Sequence, residues 1–387
     1  MVFPFPERTP VLIFAAIVAI FVYGMIAAML GTILPDLSER FHLSPSENGA
    51  IAFAQALGLM IASLGVGPLL DTEGDKVGLI LGLAIIALVL LLLPRSSGFS
   101  VIVFLLLLLG VGGGIVVTGA NALVSGVSEA HRATALNLVN LFFGLGGLAT
   151  PFISANLFKR NWVRLCYTVA TLTIITLAIQ AAAPMPAPAG SSGFLLAHVG
   201  PILGRPVLFL IGLFLFLYVT CEVGVWNWLP RHLIAQGIPE SRALNILSLG
   251  FALGLLVGRV GASQILIHVQ AIEVTLASSI AMAITTFLML RTNKPGAATA
   301  LVFLAGVAMA PVFPTALAIT GNLFPQMTGT AIGFVITCGW AGLAVSSRII
   351  GAIAGGDPAR LKKALLLIPA SAVLMVGINL LIWPVVR

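Results

Sequence analysis

The stretch from Phe214 to Trp228, FLFLYVTCEVGVWNW, places Glu222 inside an apolar run long enough to cross a bilayer. A carboxylate in hydrocarbon is costly and as a rule faces a cavity or a partner, so Glu222 is a functional-site candidate by default. Helical spacing puts Tyr218, Glu222 and Trp226 on one stripe, four residues apart. An acid, a phenol and an indole on one stripe suit water and solute better than lipid. The other polar groups of the apolar runs collect on a few segments. Tyr23 and Gln55 lie in the first two runs. Thr118 and Asn121 are three residues apart and share a helix face, as do Asn137 and Asn140. Asn227 follows the Glu222 stripe, and Asn245, Ser248 and Thr315 come later. Amide side chains each carry two donors and an acceptor, which suits a neutral, polyhydroxylated solute. A carrier of drugs or lipids would need a more apolar lining.

The elements that must position these groups are set by composition. The chain is 59% hydrophobic and 8% charged, with a mean hydropathy of +1.14. Soluble domains carry about 25% charged residues, so this is an integral membrane protein. The first apolar run, residues 11–35, exceeds the roughly 7–15 residues of a signal-peptide core and is read as a retained span. Cys166, Cys221 and Cys338 fall in separate apolar segments without metal-ligand spacing, so neither a metal nor a disulfide framework is expected. The net charge of +7 is scattered over loops without aromatic interleaving, which excludes nucleic acid as a partner. No phosphate-cradling Gly-x-x-x-x-Gly-Lys-Ser/Thr run is present, and no catalytic constellation clusters anywhere. ATP-driven pumping and enzymatic activity are excluded on those grounds.

A tilted helix needs about 20 apolar residues to span a bilayer. Twelve runs meet that length: 11–35, 47–70, 77–94, 99–127, 133–158, 162–183, 206–234, 241–268, 271–290, 297–323, 328–355 and 363–385. Residues 184–205 are rich in Pro, Gly and Ser and read as a linker. The expected organisation is therefore an all-α membrane protein, with a six-helix bundle over 1–183, the linker, and a second bundle over 206–387. The halves look like copies. Ala56-Leu57-Gly58-Leu59 returns as Ala252-Leu253-Gly254-Leu255, 196 residues on. The same shift takes Gly65 to Gly261, Gly110-Val111 to Gly306-Val307 and Thr134-Ala135 to Thr330-Ala331. Leu34-Pro35 matches Leu229-Pro230 with a slip of one residue.

Two six-span repeats of this kind resemble the major facilitator superfamily, in which the solute site lies near the bilayer midplane. Gly67, Asp71, Gly74 and Lys76 also resemble that superfamily's loop signature, Gly-x-x-x-Asp-Arg-x-Gly-Arg-Arg/Lys, with Thr72 and Asp75 standing where basic residues are usual. The resemblance implies that the loop is cytoplasmic and that Asp71 holds a neighbouring helix end in one of two states, a gating role. The plainer reading is a charged turn that stops two helices. With the loop and termini inside, the inner face keeps only Arg8, Lys76, Arg132, Arg205 and Arg387. The outer loops carry Arg40, Arg95, Lys159, Arg160, Arg164, Arg231, Arg242, Arg291, Lys294, Arg360, Lys362 and Lys363. This distribution violates the positive-inside rule.

A particular branch is also resembled, the fucose, galactose and glucose–proton symporters with the related sodium-dependent glucose transporters. Phe216-Leu217-Tyr218-Val219 with Glu222-Val223 is similar to its seventh-span pattern, and Thr118-Gly119-Ala120-Asn121 with Leu136-Asn137-Leu138 to its fourth and fifth. Gly258-Arg259 and Phe313-Pro314-Thr315 fit as well. Gly31 and Val117 stand where the branch's proton symporters carry acids, which leaves Glu222 to take any coupling role.

Glu222 has three readings: a coupling group, a structural partner for a cation such as Arg259, or a direct acceptor of solute hydroxyls. Arg259 resembles a gate contact in the second half, and snorkelling to the interface is its plainer account. The asparagines could equally bridge helices. The sequence thus predicts a secondary active transporter of a small hydrophilic solute, a monosaccharide such as glucose, working by alternating access. Its expected site draws on Tyr23, Gln55, Thr118, Asn121, Asn137, Asn140, Tyr218, Glu222, Trp226, Asn227, Asn245 and Thr315, with Asp71 and Arg259 as gates. No cofactor is expected beyond a proton or sodium ion as coupling ion. A monomer in a bacterial inner (plasma) membrane, with lipid and sugar as its partners, is the corresponding setting. The rivals are an organic-anion carrier, a multidrug exporter, and a membrane sensor or scaffold without turnover.

Overall fold

The structure is a computed structural model and describes residues 9–127, 131–159, 161–186, 204–292, 294–355 and 357–386. Most of the linker assigned to 184–205 lies outside the described residues, as do Arg8, Arg160 and Arg387. A bilayer forces each segment to satisfy its own backbone hydrogen bonds, and the apolar runs accordingly form helices. Among the described residues twelve are long and apolar enough to cross a membrane. They are α1 (Thr9–Phe41), α2 (Pro45–Glu73), α3 (Asp75–Leu92), α4 (Phe99–Val127), α5 (Arg132–Phe152), α6 (Trp162–Ala182), α7 (Pro206–Ala235), α8 (Glu240–Ile265), α9 (Ala271–Arg291), α10 (Pro295–Leu323), α11 (Thr328–Ala354) and α12 (Arg360–Val386). The protein is an integral, multi-pass membrane protein.

Local chemistry sets several boundaries. Ser44 caps α2 in a capping box: its hydroxyl accepts from the Glu47 amide, and the Glu47 carboxylate accepts from the Ser44 amide. Pro45 follows at the first helical position, where its missing N–H costs nothing. Gly74, at φ +88°, turns the chain between α2 and α3 in a conformation that side chains rarely adopt. Three helices depart from regular α geometry. A wider π segment, Ile153–Leu157, follows α5, another occupies Ile246–Ala252 of α8, and α10 is interrupted between Met309 and Val312.

Two compact units are distinguished. The first contains α1–α6 and the beginning of α11, Phe324–Thr337. The second contains α7–α10, the chain from Cys338 onward, and the short segment Leu136–Leu138. Within the first, α4 packs on α1, α2 and α3, while α6 packs on α1 and α3. Within the second, α10 packs on α7, α8 and α9, while α12 packs on α7 and α9. The internal pairing is the same, shifted by six helices.

The repeated glycines explain how. A Cβ on Gly58 would strike the carbonyl oxygen of Leu107, and one on Gly110 would strike that of Gln55. The counterparts behave alike: Gly254 lies against the Phe303 carbonyl and Gly306 against that of Phe251. These two pairs let α2 meet α4, and α8 meet α10, at backbone contact. Small residues at helix interfaces do this work in membranes, where no hydrophobic force draws helices together. Gly65 and Gly261, also related by the repeat, have nothing within 4 Å of a built Cβ.

These environments separate the substitutions. Gly58→Ala and Gly254→Ala should each overpack a seam and destabilise the protein by about 1–3 kcal/mol. Gly65→Ala and Gly261→Ala should be neutral or gain up to about 1 kcal/mol from helix propensity. Thermal unfolding of the four variants in detergent makes the comparison, and equal melting temperatures across the set would refute the seam assignment.

Candidate functional site

In the first unit, α4 and α5 bring two of the expected amides into contact. Asn140 donates to the Asn121 side-chain oxygen at 2.7 Å, and the Asn121 amide donates to the Val117 carbonyl at 2.7 Å. Both residues are buried. The Asn121 bond to its own helix fixes the rotamer, so its oxygen is aimed at α5. Beside this pair, the Tyr23 ring of α1 stacks on Phe143 of α5, with centroids 5.4 Å apart and planes at 29°. Phe143 lies three residues beyond Asn140, so amide and ring share a face of α5. Gly24 against the Phe143 carbonyl, and Gly146 against that of Phe21, hold α1 and α5 close enough for this. Thr118 and Gln55 are buried as well, with Thr118 Oγ1 and Gln55 Oε1 lacking a hydrogen-bond partner. Buried polar atoms without partners are few in folded proteins and call for an explanation such as a bound polar molecule.

In the second unit, Glu222 lies deep in α7 yet keeps partial exposure. The Arg259 charge of α8 acts on its carboxylate, and the Trp226 indole N–H approaches it from the next turn. Tyr218, one turn back and fully buried, directs its hydroxyl toward the same carboxylate without reaching full hydrogen-bond geometry. Trp226 also packs edge-on against Phe251 of the α8 π segment, with centroids 5.2 Å apart. The expected stripe is thus assembled, with a cation added from the neighbouring helix. Asn137 donates to the Thr315 hydroxyl at 3.0 Å, both side chains being fully buried. Asn227 and Asn245 are exposed.

Asp71 ends α2 at a defined receptor. One carboxylate oxygen accepts from the Gly329 amide at 2.8 Å. The other accepts from the Thr330 amide at 2.8 Å and from the Thr330 hydroxyl at 2.6 Å. The first amides of a helix have no partner within it and carry the positive end of its dipole. Asp71 supplies both the acceptor and the charge at the start of α11. A seam of small residues continues from this point. A Cβ on Gly67 would lie 2.5 Å from the Thr330 Cα, Gly333 meets the Ser63 carbonyl, and the Thr337 hydroxyl reaches the Met60 carbonyl at 3.4 Å. Lys76 of the same loop donates to the Ala183 carbonyl at 3.1 Å, a cation at the end of α6.

Three participants escaped the sequence reading: Phe143, Phe251 and Thr330. The two phenylalanines carry no chemical label in a chain with 22 of them. Thr330 was visible as the repeat partner of Thr134, a signal of kinship without a hint of its role. Among the described residues no group of three or more His, Cys, Asp or Glu side chains is placed to hold a metal ion.

Comparison with known proteins fits this geometry. A yeast protein, Bypass of stop codon protein 6 of Saccharomyces cerevisiae, is 23% identical over 88% of this chain and 76% of its own. The Glucose/mannose transporter GlcP of Bacillus subtilis is 23% identical over 93% of this chain and 91% of its own. The crystal structure of the E. coli Fucose:proton symporter FucP superposes with a TM-score of 0.85 at 16% identity, covering 97% of this chain and 99% of that one. At that identity the superposition speaks for the fold. The sequence pattern of the Major Facilitator Superfamily matches residues 16–384, nearly the whole chain. With twelve spans, paired helix packing in both units and that match together, the chain belongs to the Major Facilitator Superfamily and is a transporter, not an enzyme.

Proposed function

We propose that the protein carries a monosaccharide across a bacterial inner membrane by alternating access. Two six-helix bundles, joined by the 184–205 linker, would do the work. The observation that carries this reading is the pairing of Asn121 with Asn140 beside the stacked rings of Tyr23 and Phe143. Amides match sugar hydroxyls as donors and acceptors, and an aromatic face matches the apolar face of a pyranose ring. The unpartnered Thr118 oxygen, one turn from Asn121, and that of Gln55 on α2 add unused hydrogen-bonding capacity in the same unit. Tyr218, Trp226 and Thr315 of the second unit, with Asn137 donating to Thr315, are further solute-binding candidates. Asn227 and Asn245 are the exposed candidates. The relatives include a protein named as a glucose/mannose transporter, which supports the same solute class.

Glu222 is the candidate coupling group, taking up a proton or lying beside a sodium ion as the solute binds. Arg259 offsets its charge when the carboxylate is ionised. Asp71 acts as one gate: its three hydrogen bonds to Gly329 and Thr330 hold the start of α11 in one state and must be given up in the other. Arg259 is the second gating candidate, acting through Glu222.

Three measurements test this reading. Glu222→Gln should abolish gradient-driven accumulation in proteoliposomes while sparing sugar exchange, whereas unchanged accumulation removes Glu222 from coupling. Asn121→Ala should raise the apparent KM for glucose by roughly tenfold, the worth of one hydrogen bond of about 1 kcal/mol or a little more. A wild-type KM in a folded Asn121→Ala protein would place the solute elsewhere. Asp71→Ala leaves two amides at the start of α11 without their acceptor and should cost about 1–3 kcal/mol in stability. Thr330→Val, which removes only the hydroxyl, should cost less in the same melting experiment, and a reversed order would contradict the latch geometry.

A further inference from the structure

Helices α3 and α6 each present an outward stripe that changes from apolar to cationic at the same end. On α3 the exposed positions run Leu81, Leu88, Leu91 and Leu92 to Arg95. On α6 they run Ala178, Ile175, Ile174 and Thr171 back to Arg164, with Tyr167 half-buried between. The two helices pack together along their length. Their antiparallel register is fixed at one end by Lys76 on the Ala183 carbonyl. At the other end the Arg95 guanidinium lies over the Tyr167 ring, 5.6 Å from its centroid. Arg164 is three residues before Tyr167, so it lies on the same side of α6. Arg95 also donates to the Leu91 carbonyl at 2.6 Å, which turns its side chain along the helix end.

Neither arginine has an ion-pair partner among the described residues. No acid lies on α6, and the one acid on α3, Asp75, is at the opposite end. The acids of the first unit at this end are Asp36 and Glu39 of α1, the latter lining a cavity of about 510 Å³ with Asn48 of α2, and Glu47, which is held in the α2 capping box. Lys159 adds a further exposed positive charge just before α6. Tyrosine with arginine marks the depth at which lipid headgroups lie, and below this pair Leu88 is 55% exposed and Ile175 51%.

We propose that the paired stripes of α3 and α6 bind one anionic glycerophospholipid. Arg95 and Arg164 hold its phosphate beside Tyr167, and Leu88, Leu91, Ile174 and Ile175 receive its acyl chains. The phosphate finds two cations with no competing carboxylate on either helix. The acyl chains find an apolar track on α3 from the same starting point, and on α6 beyond Thr171, whose hydroxyl is taken up by the Tyr167 carbonyl. A zwitterionic lipid would present the arginines with its own cation as well, so the site prefers a net negative headgroup. The inference needs only the membrane location and the first unit, and it stands apart from the identity of the transported solute.

Native mass spectrometry of the detergent-purified protein tests it, with phosphatidylglycerol, phosphatidylcholine or inorganic phosphate added in turn. The wild type should retain phosphatidylglycerol over phosphatidylcholine. At roughly fivefold per cation removed, Arg95→Gln with Arg164→Gln should weaken that retention about 25-fold. The same arginines replaced by lysine should restore most of it. Lys362→Gln with Lys363→Gln removes equal charge from exposed positions elsewhere and should leave retention unchanged. Inorganic phosphate should fail to displace the lipid, since it lacks the acyl contacts. Undiminished retention in the glutamine pair, an equal loss in the Lys362/Lys363 control, or displacement by phosphate alone would each overturn the proposal. If the double glutamine variant does not fold, the two single variants give the same comparison at fivefold each.

Discussion

A polar group held out of water must find a partner, and that constraint decides most of what is specific about this protein. The apolar helices themselves are generic: any run of this length and composition satisfies its backbone internally. The exceptions give the molecule its character. Asp71 resolves its burial by taking the free amides at the start of α11, where a helix dipole already favours negative charge. Asn121 and Asn140 resolve theirs by pairing, and Asn379 does so with Thr275 and Ser279 between α12 and α9. The three cases differ in what they leave over. The Asn379 cluster connects three fully buried side chains and has the form of helix–helix glue. The Asn121 pair has a stacked aromatic beside it and, one turn back on α4, an unpartnered Thr118 hydroxyl. A solute site needs such residual capacity, and a structural bridge does not.

The second constraint is steric. Without a hydrophobic drive between helices in lipid, close approach must be built from small residues, and here it is built the same way twice. Gly58 with Gly110, and Gly254 with Gly306, put backbone against backbone at equivalent crossings. The α2–α11 contact of the first unit uses the same device with Gly67, Gly329 and Gly333. The residue 196 positions beyond Asp71 is Ile267, so the repeat does not carry the carboxylate over. The repeat therefore preserves helix packing while the Asp71 carboxylate itself is not repeated.

This explains what was legible in the sequence. Span number and approximate limits follow from hydropathy over windows of about 20 residues, where the signal is strong. The glycine crossings were readable as a repeat because packing depends on residue size at fixed positions. Asp71 stood out as an acid in a recognisable loop, but its receptor is 258 residues away and consists mainly of backbone amides, which leave no residue-type signature. Phe143 was invisible for a related reason: a phenylalanine that stacks on a tyrosine is spelled like one that faces lipid. The interruptions in α8 and α10 were likewise unmarked, although Pro311 and Pro314 stand at the second. Backbone irregularity depends on neighbours that a linear reading cannot supply.

The charge state of the site bears on the kind of solute it can serve. A neutral solute entering a low-dielectric site gains nothing from a net field and loses its hydration all the same. Glu222 alone would impose such a field. Inside the second unit, Arg259, Tyr218 and Trp226 act on that carboxylate against the cost of its burial. Glu222 and Arg259 of the second unit sum to no net charge while the carboxylate is ionised and to one positive charge once it is protonated. A carboxylate or phosphate solute would be favoured only in that second condition, whereas a sugar can be accommodated in both. Because the hydroxyl of Tyr218 stops short of a full hydrogen bond, the cluster retains an unused donor beside the carboxylate. A carboxylate so placed could exchange its partners for a solute hydroxyl at small cost, and the coupling role proposed for Glu222 rests on that exchange.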